Sequence, residues 1–280
     1  MSGTLYLCAT PIGNLGDITL RVIEILKSVD VIAAEDTRNT IKLLNHFEIK
    51  TPMTSYHKYN LESKGPVLIE MLKEGKNIAL VSDAGMPGIS DPGEDMAKRC
   101  REEGLPVTIA PGASAGISAL VLSGMDCRRY VFEGFLPMDK KEKAAVLKSL
   151  EKETRTTVFY EAPHRLKETL EALLKSAGNR EAATVREITK RYEEVRHDNL
   201  AGLLEYYKEN QPKGEFVIIV GGMSAEEIRQ EEIDGWNSIS IEEHMEKYVS
   251  QGMSEKDAMK RVSKDRGVSK REIYAYLNKD

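Results

Sequence analysis

The sequence predicts an α/β fold: two α/β domains followed by a small helical extension. Three observations carry this. Over the first 220 residues short apolar runs alternate with amphipathic stretches, the pattern of a sheet covered by helices. After Gly124 the apolar runs grow longer and richer in β-branched and aromatic residues, which marks a second sheet of different texture. From residue 241 onward the chain reads as short helices only. A chain of 280 residues, 41% apolar and 30% charged, has the material for such a core.

The elements follow in order. The first half offers strands at 5–9, 29–35, 77–82 and 106–110, separated by helices at 20–28, 37–47, 66–74, 94–103 and 113–123. Strand and helix in strict alternation predict a parallel sheet in a domain spanning 1–122. Strands at 129–135, 154–162, 182–196 and 214–222, with helices at 139–152, 163–176 and 199–210, predict a mixed sheet in a second domain, 123–225. Residues 226–280 read as a linker and a small helical extension, with helices at 241–252, 254–267 and 269–280. Ser269 and Glu272 fit a capping box, and Gly252 and Gly267 stand where C-terminal caps belong. Seven Lys or Arg against two Asp between 256 and 271 make this unit locally basic. Taken alone that is a solvated helix face, with an RNA-touching appendage as the alternative.

Composition excludes several classes. A formal charge of −5 argues against a uniformly basic nucleic-acid coat, though not against a local basic patch. Cys8, Cys100 and Cys127 are far apart and share no ligand spacing, and the five histidines are scattered, so neither a disulfide framework nor a metal site is expected. No apolar run approaches membrane-spanning length and no secretory leader pattern opens the chain, so a cytoplasmic protein is expected. The G-x-G-x-x-G of dinucleotide binders and the G-x-x-x-x-G-K-[ST] of P-loop enzymes are both missing. The GNLG at 13–16 matches a KH loop in letters, but it follows a strand where a KH loop joins two helices.

Four loops bearing glycine and proline each follow a strand: TPIGNLGD (10–17), SDAGMPGISDPG (82–93), PGASAG (111–116) and EGFLP (133–137). In a parallel sheet the first three gather at the carboxyl edge, where ligands bind. Glycine lets backbone approach a ligand closely and present its N–H groups. Within the second loop Asp91 is expected to cap the helix that starts at Pro92, which leaves Asp83, at the strand end, as the better candidate for ligand contact.

TPIGNLGDITLR, AAEDTR, SDAGMPGISDPG, PGASA, GFLP and YEAPHR stand in this order along residues 4 to 222. In this the chain resembles the tetrapyrrole methylase superfamily, and within it the bacterial 16S ribosomal RNA (cytidine-2′-O)-methyltransferase branch. The resemblance implies two α/β domains of the tetrapyrrole methylase type, S-adenosylmethionine bound in the cleft between them, and a homodimer. It assigns cofactor contacts to Pro11, Gly13, Leu15, Asp83, Ala84, Gly85, Ile89, Ser90, Ser114 and Ala115. The implied partner is 16S ribosomal RNA or the small ribosomal subunit.

Methyl transfer to a ribose hydroxyl asks for positioning and for help in ionising a poor nucleophile. The motif loops offer Glu35 and Asp36, His57, His164 and Arg165, and the REITK segment 186–190. Each has a structural reading: Asp36 as a helix cap, His57 as a surface residue, His164 and Arg165 as the start of a helix, and Arg186, Glu187 and Lys190 as a solvated ladder on an edge strand. As a set, Glu161, Arg165, Glu187 and Lys190 are the leading catalytic candidates, with Lys190 or a nearby carboxylate easing ionisation of the hydroxyl. Arg38, Lys42, Lys58, Lys64, Arg165, Lys190 and the basic tail are the candidates for RNA phosphates. Two other readings stay open: a methylase of a tetrapyrrole or another small molecule, and a non-catalytic assembly factor that binds S-adenosylmethionine or RNA. The AAEDTR and SDAG…SDPG forms and the helical tail favour the RNA enzyme.

Overall fold

The computed structural model describes residues 1–278; Lys279 and Asp280, the end of the last predicted helix, lie outside the described residues. The chain forms two compact units, Met1–Glu151 with Arg155–Gly221, and a smaller one of Lys152–Thr154 with the residues from Gly222 onward.

The large unit holds two five-stranded sheets. The first is wholly parallel, in the order β3-β2-β4-β1-β5, with β1 (Leu5–Cys8), β2 (Val31–Ala34), β3 (Met53–Ser55), β4 (Ile78–Val81) and β5 (Val107–Ala110). Every residue of β2 and β4 is buried, as expected of central parallel strands covered on both faces. The covering helices are α1 (Leu20–Ser28), α2 (Thr37–His46), α3 (Leu61–Lys73), α4 (Gly93–Glu102) and α5 (Ala115–Leu122). Strand β3 was not expected: three residues, Met-Thr-Ser, carry no apolar run. Helix α3 begins five residues before the predicted start, and Pro66 stands inside it. Its entry is secured by Asn60, which accepts from His57 N and donates to the Ser55 carbonyl.

The second sheet is mixed, in the order β6-β7-β10-β8-β9, with β6 (Tyr130–Phe135), β7 (Thr156–Glu161), β8 (Glu181–Arg186), β9 (Glu194–Asn199) and β10 (Phe216–Val220). Strands β6 and β7 run parallel and the remaining pairs antiparallel. Helices α6 (Lys140–Leu150), α7 (Leu166–Ala177) and α8 (Leu200–Glu209) accompany it, and Phe159, Leu170, Leu173, Leu203, Phe216 and Ile218 fill the core between. The stretch 182–196 is a hairpin, where one strand was expected. Glu187 and Thr189 take left-handed backbone, φ +52° and +64°, which ends the extended run. The edge-ladder reading fails with it, because β8 lies inside the sheet and Glu187 and Lys190 lie in the turn.

In the small unit a helix, α9 (Ala225–Asn237), fills the predicted linker. Ser224 and Glu227 form a capping box at its start. Helices α10 (Ile241–Val249), α11 (Glu255–Asp265) and α12 (Lys270–Leu277) bury Met245, Ala258, Val262 and Ile273 against one another. The Ser269–Glu272 capping box is present on α12. Arg266 donates to the Ile239 and Ser240 carbonyls at 2.7 Å and to His244 Nδ1 at 3.1 Å, and Trp236 stacks on the His244 ring at 3.9 Å.

Candidate active site

The turns that leave β1, β4 and β5 meet at the carboxyl edge of the parallel sheet. Thr10 and Gly85 exchange two backbone hydrogen bonds, of 2.9 and 3.1 Å, and the Thr10 hydroxyl donates to the Ser82 carbonyl. Gly85 has φ +81°, and a Cβ there would touch Ile12 at 3.3 Å and the Ala113 carbonyl at 3.4 Å, so the three turns converge on this residue. Asp91 Oδ1 accepts from Gly88 N at 2.8 Å and Gly93 N at 2.7 Å. It thereby closes the second loop ahead of α4, whose N-cap is Pro92 and not the expected Asp91; Asp91 stands one residue earlier and holds the N–H of the first helical residue, Gly93.

One cavity is shared by the two sheets of the large unit. Ile12, Ala84, Gly85, Met86, Ile89, Ser114 and Ala115 line it from the turns of the first sheet; Phe135, Tyr160, Glu161, Glu187, Ile188, Lys190 and Glu215–Val217 come from the second. Tyr160 joins the halves by accepting from Gly116 N at 3.0 Å, in the first turn of α5. Burial raises the Tyr160 phenol, and the Gly116 N–H opposes that shift. The rings of Phe132 and Phe135 stand edge-on to Tyr160 at 5.1 and 5.7 Å.

Five of the predicted cofactor residues, Ala84, Gly85, Ile89, Ser114 and Ala115, line this cavity. Pro11, Gly13, Leu15 and Asp83 line a separate cleft with Thr40, Lys42 and Leu43. There the Asp83 carboxylate is engaged by Asp36 N at 3.1 Å and Asn39 Nδ2 at 3.3 Å, which ties β4 to the start of α2. Ser90 faces a further cavity with Glu35 and His57. Asp36 caps α2 by accepting from Arg38 N, and the Arg38 guanidinium lowers its carboxyl to about 2.

Of the four catalytic candidates, Glu161, Glu187 and Lys190 line the first cavity and Arg165 does not. Glu161 is buried, and its carboxylate accepts from Thr169 Oγ1 at 2.5 Å and Ala162 N at 2.8 Å, with Arg165 Nε at 3.6 Å. Arg165 also donates to the Leu136 carbonyl at 2.9 Å, clamping the GFLP turn to the YEAPHR turn. Glu187 and Lys190 form an ion pair at 3.0 Å. Each lies against a glycine. A Cβ on Gly214 would fall 2.7 Å from Glu187 Oε1, and one on Gly13 would fall 2.5 Å from Lys190 Cε. Asn14 Nδ2 donates to the Thr189 carbonyl at 3.2 Å, so the bare first turn is the seat on which the 187–193 turn rests.

Sequence reasoning missed much of the second sheet's share. Phe135 and Tyr160 stand inside the GFLP and YEAPHR motifs and were open to assignment. Glu215, Phe216 and Val217 begin an ordinary apolar strand and carry no local signal.

Comparison with known proteins agrees with this architecture. A family model described as Tetrapyrrole (Corrin/Porphyrin) Methylases matches residues 4–204. A curated relative from Bacillus subtilis (strain 168), "Ribosomal RNA small subunit methyltransferase I", is 50% identical over 272 residues, covering 97% of this chain and 93% of its own. A protein of the same name from Synechocystis sp. is 42% identical, with 97% and 96% covered. Among solved structures, a diphthine synthase superposes with TM-score 0.62 at 17% identity, covering 79% of this chain and 91% of its own. The cobalt precorrin-4 methyltransferase CbiF gives 0.58 at 17% identity, covering 78% and 94%; both likenesses bear on the fold alone. The chain belongs to the tetrapyrrole (corrin/porphyrin) methylase family.

Proposed function

We propose that this protein methylates RNA of the small ribosomal subunit, at the 2′-hydroxyl of a cytidine in 16S RNA, with S-adenosylmethionine as methyl donor. The observation that carries the reading is near full-length identity to proteins named ribosomal RNA small subunit methyltransferase I. The cofactor is that of the family, and the cavity fits it. Small residues, Ala84, Gly85, Ser114 and Ala115, leave room for a flat ring system, and apolar Ile12 and Ile89 with aromatic Tyr160 complete the lining that would hold an aromatic base and a sulfonium. When bound, S-adenosylmethionine supplies an electrophilic methyl group.

The residues then divide by task. The turns hold the donor, with Pro11, Gly13, Leu15, Asp83 and Ser90 shaping the surrounding loops. Lys190, kept in place by Glu187, puts a cation in the cavity wall, where it lowers the cost of ionising an acceptor hydroxyl. Glu161 and Arg165 position the turns that carry Phe135 and Tyr160.

The same reading includes a homodimer acting in the cytoplasm. Strand β5 is one edge of the parallel sheet and β6 one edge of the mixed sheet. With α5 they expose Ile109, Ile117, Val121, Leu122, Tyr130 and Phe132. So many exposed apolar side chains on sequence-adjacent elements favour burial against a second copy.

The test uses purified protein, labelled S-adenosylmethionine and small subunits from cells lacking the gene. Label on one ribose, recovered as a 2′-O-methylated cytidine after digestion, is the expected result. Subunits left unlabelled by a protein that binds S-adenosylmethionine would refute the assignment.

A further inference from the structure

A cavity of about 760 Å³ opens where the ends of β2 and β3 meet the 82–93 loop. Ser90 lines it, whereas Ile89 lines the donor cavity, so the loop is the wall between the two. Ser90 holds that place in left-handed backbone, φ +65°. Inside, Glu35, His57 and Asp91 are half-buried. Burial raises the Glu35 carboxyl, a hydrogen bond from Asp83 N at 3.4 Å opposes this, and the charges of Asp83 and Asp91 add to the rise. His57 Nδ1 is buried with no hydrogen-bond partner. At the mouth Tyr59 is 84% exposed, with Lys58 Nζ 4.9 Å from its ring centre. Arg38 stands in solvent, folded back onto Asp36 at 2.6 Å.

This lining selects its ligand. Ionised carboxylates accept hydrogen bonds and never donate, so the interior suits a ligand rich in donors, such as ribose hydroxyls and the exocyclic amine of a base. Carboxylates outnumber cations in the lining, which turns phosphates away from the interior and leaves them to Lys58 and Arg38 at the mouth. An exposed aromatic ring beside a cation is the platform on which an unpaired base stacks.

We infer that this cavity seats one unpaired nucleotide of the RNA substrate, its base on Tyr59, its sugar hydroxyls toward Glu35 and its flanking phosphates at Lys58 and Arg38. The inference rests on the RNA reading above. The seated nucleotide is a neighbour of the methylated one: it lies across the 82–93 loop from the donor, and the strand continues to bring the acceptor ribose to the Lys190 side.

The full-length protein is titrated with a short fluorescein-labelled, cytidine-containing single-stranded RNA and followed by anisotropy, with methyl transfer to small subunits measured in parallel. Tyr59→Ala is expected to weaken RNA binding roughly 5- to 150-fold, the loss of one base stack. Lys58→Ala should flatten the slope of log affinity against log salt by about 0.7, one phosphate contact on a single strand. Glu35→Gln should narrow the preference for RNA over DNA of the same sequence, and S-adenosylmethionine affinity should hold in all three. RNA binding that Tyr59→Ala and Glu35→Gln leave intact would overturn the site. Binding that these variants lose, in a protein that never methylates subunits, would keep the site and overturn the methylation reading. Neither binding nor transfer overturns both. If subunits are methylated but the oligonucleotide does not bind, the KM for subunits decides: a rise of the same size in Tyr59→Ala supports the site and an unchanged KM overturns it.

Discussion

Lys190 and Glu187 neutralise each other while each is pressed against a glycine from a different part of the chain, and this packing gives the pair a fixed position. Lys190→Ala removes the cation from the cavity wall and is expected to lower kcat by roughly 10²-fold, the smaller end of general acid–base contributions. Turnover equal to the parent on small subunits would remove Lys190 from the chemistry. Gly214→Ala tests the other side of the pair. Its φ of +77° disfavours any side chain, and the new methyl would crowd the Glu187 carboxylate. A stability loss of about 1–3 kcal/mol is expected in urea unfolding, together with reduced methyl transfer. Glu161 shows why residue type alone misleads. It lines the cavity, yet its oxygens accept from Thr169 and Ala162 N with Arg165 nearby, so the role we propose for it is to position the turns it braces.

Single elements carry their own consequences. Helix α9 exposes nearly all of its residues, and none of its side chains is buried, so its start depends on the Ser224–Glu227 box. Ser224→Ala should cost about 1 kcal/mol, read as a lower urea midpoint and a drop in helical circular dichroism. The elements legible in the sequence were those with a long periodic or apolar signal: α1 over 20–28, the buried β2 and β4, and the FVIIV core of β10. The illegible ones had physical reasons. Strand β3 is three residues long and without apolar alternation, and it exists because Ile32 and Ala34 lend it a parallel edge. The 187–193 turn contains no glycine or proline, since its left-handed residues are Glu187 and Thr189, so no punctuation divided 182–196. Helix α9 is too polar to show an apolar stripe.

At the scale of the whole molecule, the two units should respond to acid differently. In the small unit burial lowers the His244 pKa, chiefly by desolvation, with the Arg266 charge adding to the effect and Lys247 acting the same way, against Asp265. The folded unit therefore keeps His244 neutral where the unfolded chain takes up a proton below 6.5. Stability is fully present above that value and is lost as pH falls from there through the lower folded pKa. The urea midpoint, followed through Trp236, should fall between about pH 7.5 and 5.5, and a level midpoint would contradict the assignment. Association is testable at the same scale. Val121→Glu sets a charge on the exposed face of α5 and should turn a dimer into a monomer in sedimentation, with a folded circular dichroism spectrum retained. The site as a whole was half legible: loops announce themselves through glycine and proline, whereas the opposite wall is built by distant, unremarkable strand ends. Ser90 and Glu187, whose side chains line the two cavities from left-handed backbone, set a limit on adaptation. A lineage selected for heat resistance alone would drift toward glycine or asparagine at these positions, gaining backbone comfort there and giving up the side chains that wall the site.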